Sequence, residues 1–60
     1  MVKVKLFDCA HELDLEEEMN EFFEEKQHLK ILQIEYQTQI ERINDEETIY
    51  SFSAMVVYHE

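Results

Sequence analysis

Residues 30–59, KILQIEYQTQIERINDEETIYSFSAMVVYH, hold two alternating runs joined by a polar break. In the first run Leu32, Ile34, Tyr36, Thr38 and Ile40 alternate with Gln33, Glu35, Gln37, Gln39 and Glu41. In the second, residues 48–59, Tyr50, Phe52, Ala54, Val56 and Tyr58 share one parity. A period of two marks a strand with one buried face. The break, residues 43–47, is the turn, and Asn44 and Asp45 are its residues most tolerant of a left-handed backbone. Turn length sets the register. A two-residue turn at Asn44-Asp45 sets Ile34 opposite Met55 and Tyr36 opposite Ser53. A three-residue turn, Asn44 to Glu46, sets Ile34 against Val56, Tyr36 against Ala54, Thr38 against Phe52 and Ile40 against Tyr50. Only the second keeps the apolar rows on one side, so it is preferred.

The two flanking segments complete the topology. Residues 2–7, VKVKLF, alternate as well, with Val2, Val4 and Leu6 on one face of a strand and Lys3 and Lys5 on the other. Residues 12–27 are predicted to be a helix, because Leu15, Met19, Phe22, Phe23 and Lys26 fall on one helical stripe. Its start lies within residues 11–14, capped by an Asp14–Glu17 box or one turn earlier by His11 with Asp14. The order is β-α-β-β. A right-handed crossover followed by a return strand gives an antiparallel three-stranded sheet in spatial order 1-3-2, with the helix on one face. The expected fold is therefore α+β, in a single domain spanning residues 1–60.

Sixty residues bury only roughly 60% of the surface of the unfolded chain, so the core is marginal and needs a staple. Cys9 is the sole cysteine, which excludes an internal disulfide and suits a reducing compartment. Oligomerisation, as a dimer or higher homo-oligomer, is the remaining help. No apolar run approaches the ~20 residues of a membrane span, and the first residues lack the apolar stretch of a signal peptide, so the expected location is cytoplasmic. Fifteen acids against five bases give a formal charge of −10. That charge opposes binding to nucleic acid or an anionic membrane. With no glycine, the chain has no phosphate-cradling loop.

The densest acidic stretch is HELDLEEEMNEFFEEK, residues 11–26. Glu16, Glu17, Asn20, Glu21, Glu24 and Glu25 fill the arc opposite the apolar stripe, which reads as a solvated face. The alternative reading of the same arc is a ligand for a basic protein partner. Glu25 and His28 have the E-x-x-H spacing of di-iron bundles, but a single copy falls short of a site. Cys9 and His11 supply two metal ligands without a third. Cys9 sits beside Asp8 and Glu12, which oppose thiolate formation. His11, His28 and His59 show no relay spacing. Tyr36, Tyr50, Phe52 and Tyr58 are expected in the core. No catalytic, cofactor or metal residue is assigned.

One face of the expected sheet resists a purely solvated reading. It carries Ile31, Ile49, Met55 and Val57 among Ser51, Ser53, Gln33, Glu35, Lys3 and Lys5, a mixture that suits a contact surface. In the order 1-3-2, residues 30–42 also form a long free edge without proline or glycine, which calls for a partner strand across a twofold axis. The candidate interface is Ile31, Tyr36, Gln37, Ile49, Met55 and Val57.

Several blocks carry a family resemblance over nearly the whole chain. They are Lys3-Val4-Lys5-Leu6-Phe7, His11-Glu12 with Asp14-Leu15-Glu16, Asn20-Glu21-Phe22, Ile34 with Tyr36, and above all Ser51-Phe52-Ser53-Ala54-Met55-Val56-Val57-Tyr58. The chain resembles a family of small acidic sporulation proteins of bacilli made in the mother-cell compartment. The resemblance implies a bacterial, cytoplasmic, sporulation-linked protein and assigns no catalytic residue. The topology alone also resembles that of dodecins, small flavin-binding oligomers. Two functional expectations follow. The first is a non-enzymatic, homo-oligomeric protein-interaction module. The alternative is an oligomer that binds an aromatic or flavin-like ligand.

Overall fold

The computed structural model describes residues 1–60. Strand β1 (Val2–Cys9) leads to helix α1 (Glu12–Glu25), then to strands β2 (Lys30–Arg42) and β3 (Thr48–His59). The sheet is antiparallel throughout, in the order β1-β3-β2, with α1 on one face. This is the α+β arrangement expected from the sequence. The hairpin register is also as expected, with Ile34 opposite Val56, Tyr36 opposite Ala54, Thr38 opposite Phe52 and Ile40 opposite Tyr50.

Local chemistry differs from expectation at three points. No residue adopts a positive φ, so Asn44 and Asp45 do not form the turn through a left-handed backbone. Instead the Asn44 side-chain oxygen accepts the N–H groups of Glu46 and Glu47, both at 2.8 Å. This is an Asx-type turn, in which a side chain replaces a backbone acceptor. The helix is capped at His11 without a side-chain hydrogen bond, and its first bond runs from the Leu15 N–H to the His11 carbonyl. It stops at Glu25 rather than at residue 27, because Lys26 leaves helical geometry (φ −119°, ψ 49°) to turn the chain into β2. Strand β1, in turn, runs two residues beyond the expected 2–7.

That extension decides which face of β1 is buried. Phe7 lies opposite Ala54 and is buried beneath α1, whereas Leu6 lies opposite Met55 on the other face. The expected assignment of β1 is thus inverted. Lys3, Lys5, Phe7 and Cys9 face the helix side, and Val2, Val4 and Leu6 face away from it. The physical reason is that Phe7 offers the larger apolar surface for burial. The inversion also places Lys5 in one shallow groove with Glu18, Glu21 and Glu25 of the helix.

Four residues are buried, Phe7, Leu15, Ala54 and Val56, and of these Val56 is fully so. Met19, Phe22, Phe23, Phe52 and Tyr58 pack around them. Phe22 is the hub, with its ring 5.8 Å from Phe7, 5.5 Å from Tyr58 and 5.7 Å from Phe23. The helical stripe read from the sequence supplies Leu15, Met19, Phe22 and Phe23. Tyr36 and Tyr50, by contrast, lie outside the core and remain exposed. For Tyr36 the reason is width: it is level with the buried Ala54 but sits on the edge strand, and a helix about 10 Å across spans two strands spaced ~4.8 Å apart, here β1 and β3. For Tyr50 the reason is length: it lies past the last pair of β1, Cys9 with Phe52, on a molecule that extends over 46 Å while the helix is about 21 Å long.

The core is small enough that the loss of two methyl groups registers. Val56→Ala should lower unfolding free energy by roughly 2 kcal/mol, since Val56 is 0% exposed. Val4→Ala, on the far face and 52% exposed, should change it by less than about 0.5 kcal/mol. Urea denaturation of both variants checks the contrast.

Candidate interaction surfaces

The edges of the sheet can be assigned from two terminal hydrogen bonds. The Ile43 N–H donates to the Glu47 carbonyl, and the Glu60 N–H donates to the Met1 carbonyl, both at 3.0 Å. In an antiparallel ladder, hydrogen-bonded pairs alternate. Odd-numbered residues of β2 beyond its bulge therefore bond inward to β3. The outward donors of this edge belong to Ile34, Tyr36, Thr38, Ile40 and Arg42. Gln37 directs its backbone inward, and its carbonyl also accepts the Ser53 hydroxyl at 3.4 Å.

One irregularity interrupts β2. Ile31 pairs with Tyr58 and Gln33 with Val57, which leaves Leu32 as an extra residue in a bulge. The bulge shifts Ile31 into the row of Tyr58, a residue whose ring meets Phe22 of the helix. Ile31 and Tyr36 therefore belong to the helix side of the sheet. Gln37, Ile49, Met55 and Val57 share the opposite, open face. The six candidate interface residues divide between two faces and do not form one surface.

The open face carries an apolar island made by Val2, Val4 and Leu6 next to Val57 and Met55. Beside it runs a shallow groove of about 800 Å³ whose lining includes Leu6, Glu35, Gln37, Gln39, Ser51 and Ser53. Carboxylates border this face at Asp8 and Glu35, and Glu41 lies opposite Ile49. The helix side of β2 is different. Its row Ile34, Tyr36, Thr38 and Ile40 has no carboxylate, and Tyr50 adjoins it through Ile40. Between this row and α1 lies a groove of about 430 Å³, lined by Leu13, Leu15, Met19, Phe23 and Tyr36, with Glu12 and Glu16 at its helical wall.

The polar features are local. Lys3 forms an ion pair with Glu60. Their hydrogen bond and mutual attraction hold Lys3 above its ordinary 10.5 and Glu60 below its ordinary 4.5. The Cys9 thiol donates to the Glu18 carboxylate at 3.3 Å. Partial burial, then this hydrogen bond, pushes the thiol above its ordinary 9.0, and the charges of Glu18, Asp14 and Asp8 add to the shift. No three His, Cys, Asp or Glu residues are grouped so as to hold a metal ion. No helix is long and apolar enough to cross a membrane.

Strand alternation marks Leu32, Ile34, Ile40 and Tyr50 as buried, but they are exposed, as is Leu13 of the helix. The signal that finds the β2 residues is that one helix spans only two strands of a three-stranded sheet.

Comparison with known proteins adds a family. The profile described as "Sporulation protein Cse60" matches residues 1–60. The chain is 35% identical over 60 residues to "Sporulation protein cse60" of Bacillus subtilis (strain 168), covering 100% of both chains. No solved structure matches the chain.

Two predictions follow from this geometry. Thr38→Pro removes an outward donor, which an edge strand tolerates. Gln37→Pro removes a ladder donor and leaves a β3 acceptor unpaired, at a cost of about 1–3 kcal/mol. Thermal melts should therefore show Gln37→Pro markedly less stable than Thr38→Pro, and equal melting temperatures would contradict the edge assignment. For Cys9, folding raises an acidic group's pKa, so the folded state holds its proton more tightly. Its contribution to stability is present below the ordinary 9.0 and is lost as pH rises above it. Glu18→Gln removes the nearest negative charge and should speed the reaction of Cys9 with a disulfide reagent at pH 8 severalfold.

Proposed function

The chain belongs to the Sporulation protein Cse60 family, and we propose from that premise that it is a non-enzymatic protein-interaction module of the sporulating cell's cytoplasm, working as a homo-oligomer. The observation that carries this reading is surface that a free monomer of this size does not ordinarily leave exposed. The chain exposes 4928 Å². A folded monomer of 7.4 kDa is expected to expose about 4200 Å². Its radius of gyration is 13.9 Å, against about 10 Å for a compact domain of this length. Assembly removes the excess and supplies the staple that a core of four buried residues lacks.

The charge argues for the type of partner. At −10, the chain repels nucleic acid and anionic lipid. The acidic outer arc of α1 is solvated and free to meet a basic protein once the oligomer has formed. A nucleophilic role finds no support at Cys9, whose proton is held by burial and by Glu18.

Sedimentation equilibrium at micromolar concentration tests the reading. The expected mass is at least twice 7.4 kDa, and a folded, strictly monomeric chain would overturn it. Because like-charged copies must approach, added salt should tighten the assembly by screening.

A further inference from the structure

The helix side of the sheet is only half covered. On its bare half, Ile34, Tyr36 and Ile40 stand in one row of β2, each between 49% and 66% exposed, and Leu32 precedes them in the bulge at 48%. Leu13 extends this apolar strip from the helix at 72% exposed, and Tyr50 extends it from β3 at 51%.

We propose that this strip is the surface on which a second copy of the chain docks, strip against strip across a twofold axis. The inference rests on the self-assembling reading and names its surface.

Area supports this occupant. The chain exposes about 700 Å² beyond what its mass predicts, and a standard-sized interface takes about 800 Å² from each partner. Charge supports it too. Two copies carrying −10 each can meet only where their carboxylates are kept apart. The β2 row from Ile34 to Ile40 has no carboxylate on this face, and neither do Tyr50 and Phe52 of β3. Glu12 and Glu16, both exposed, line the helical wall of the groove and are the carboxylates nearest this strip. The competing apolar island, Val2, Val4, Leu6, Met55 and Val57, is bordered by Asp8 and Glu35, so its self-docking opposes like charges. Symmetry agrees as well. A twofold interface needs a patch that complements itself, and an apolar row beside a groove of about 430 Å³ offers both a ridge and a recess. Tyr36 borders that recess and lies at the middle of the row, which makes it the anchor of the contact.

The test is sedimentation of the full chain and three variants at several concentrations, with circular dichroism as the check of folding. Tyr36→Ala should weaken the dimer by about 30-fold or more. Ile40→Glu, far from the core, should yield monomers at concentrations where the parent is dimeric. Val4→Glu, on the open face, should leave the dimer intact. If Val4→Glu dissociates the oligomer while Tyr36→Ala and Ile40→Glu do not, the docking surface is the open face. The proposal is then overturned and the oligomeric reading stands. A parent chain that is monomeric throughout overturns both. Should Tyr36→Ala fail to fold, Ile40→Glu alone decides, because it lies clear of α1.

Discussion

The structure depends on how much sheet one short helix can cover. Helix α1 contributes Leu15, Met19, Phe22 and Phe23, and these meet Phe7, Ala54, Val56 and Tyr58. The contact is confined to β1 and β3, within reach of a helix about 21 Å long. The hairpin of β2 and β3 is about twice that length. Beyond the helix it is held mainly by its ladder of backbone bonds and by the Asn44 turn. A two-stranded ribbon without a covered face is marginal in water. The stable part of the fold and its unsupported part are thus consequences of the same mismatch.

Charge is arranged around that constraint. The acids of α1 are exposed, so water screens most of their mutual repulsion, and Glu18 also accepts from Cys9 of β1. Lysines from β1 stand on the helix side of the edge: Lys5 shares a groove with Glu18, Glu21 and Glu25, and Lys3 pairs with Glu60. The exposed pair contributes little by itself. Its placement nonetheless fastens the two chain ends together, beside the bonds between Met1 and Glu60. What is left without acids is the helix side of β2.

The sequence made the topology and the hairpin register legible, because only one register brings Ile34, Tyr36 and Ile40 beside Val56, Ala54 and Tyr50. It also made the helical stripe legible. The face of β1 was not legible from alternation alone. Val2, Val4 and Leu6 form the tidier row, yet Phe7 and Cys9 of the opposite parity occupy the helix side. A single large side chain outweighed three smaller ones, since Phe7 meets Phe22 of the helix edge to face at 5.8 Å. Ile31 changed face for a different reason, the bulge at Leu32, which shifts side-chain parity without any glycine or proline to announce it. The candidate surfaces were legible as residues but not as two separate faces, since that division depends on both local features. The place of Gln37 in the inner ladder required only the alternation of paired and unpaired residues once the turn was known.

The bulge also bears on how the free edge can be used. Bulges on edge strands disrupt pairing with other chains, and here the disruption is limited to residues 31–33. From Ile34 onward the edge is regular. Its outward donors belong to Ile34, Tyr36, Thr38, Ile40 and Arg42, the same parity that carries the exposed apolar strip. Free backbone donors and exposed apolar side chains therefore coincide on this segment of β2. On β1 the corresponding donors, at Val2, Val4, Leu6 and Asp8, have the parity of the open face, and the lysines of the other parity guard the strand. Charged edge residues of this kind discourage strand addition. Glu35 and Glu41 stand in the same way on β2, so the two free edges differ chiefly in which face their outward donors share: the open face on β1 and the exposed apolar strip on β2.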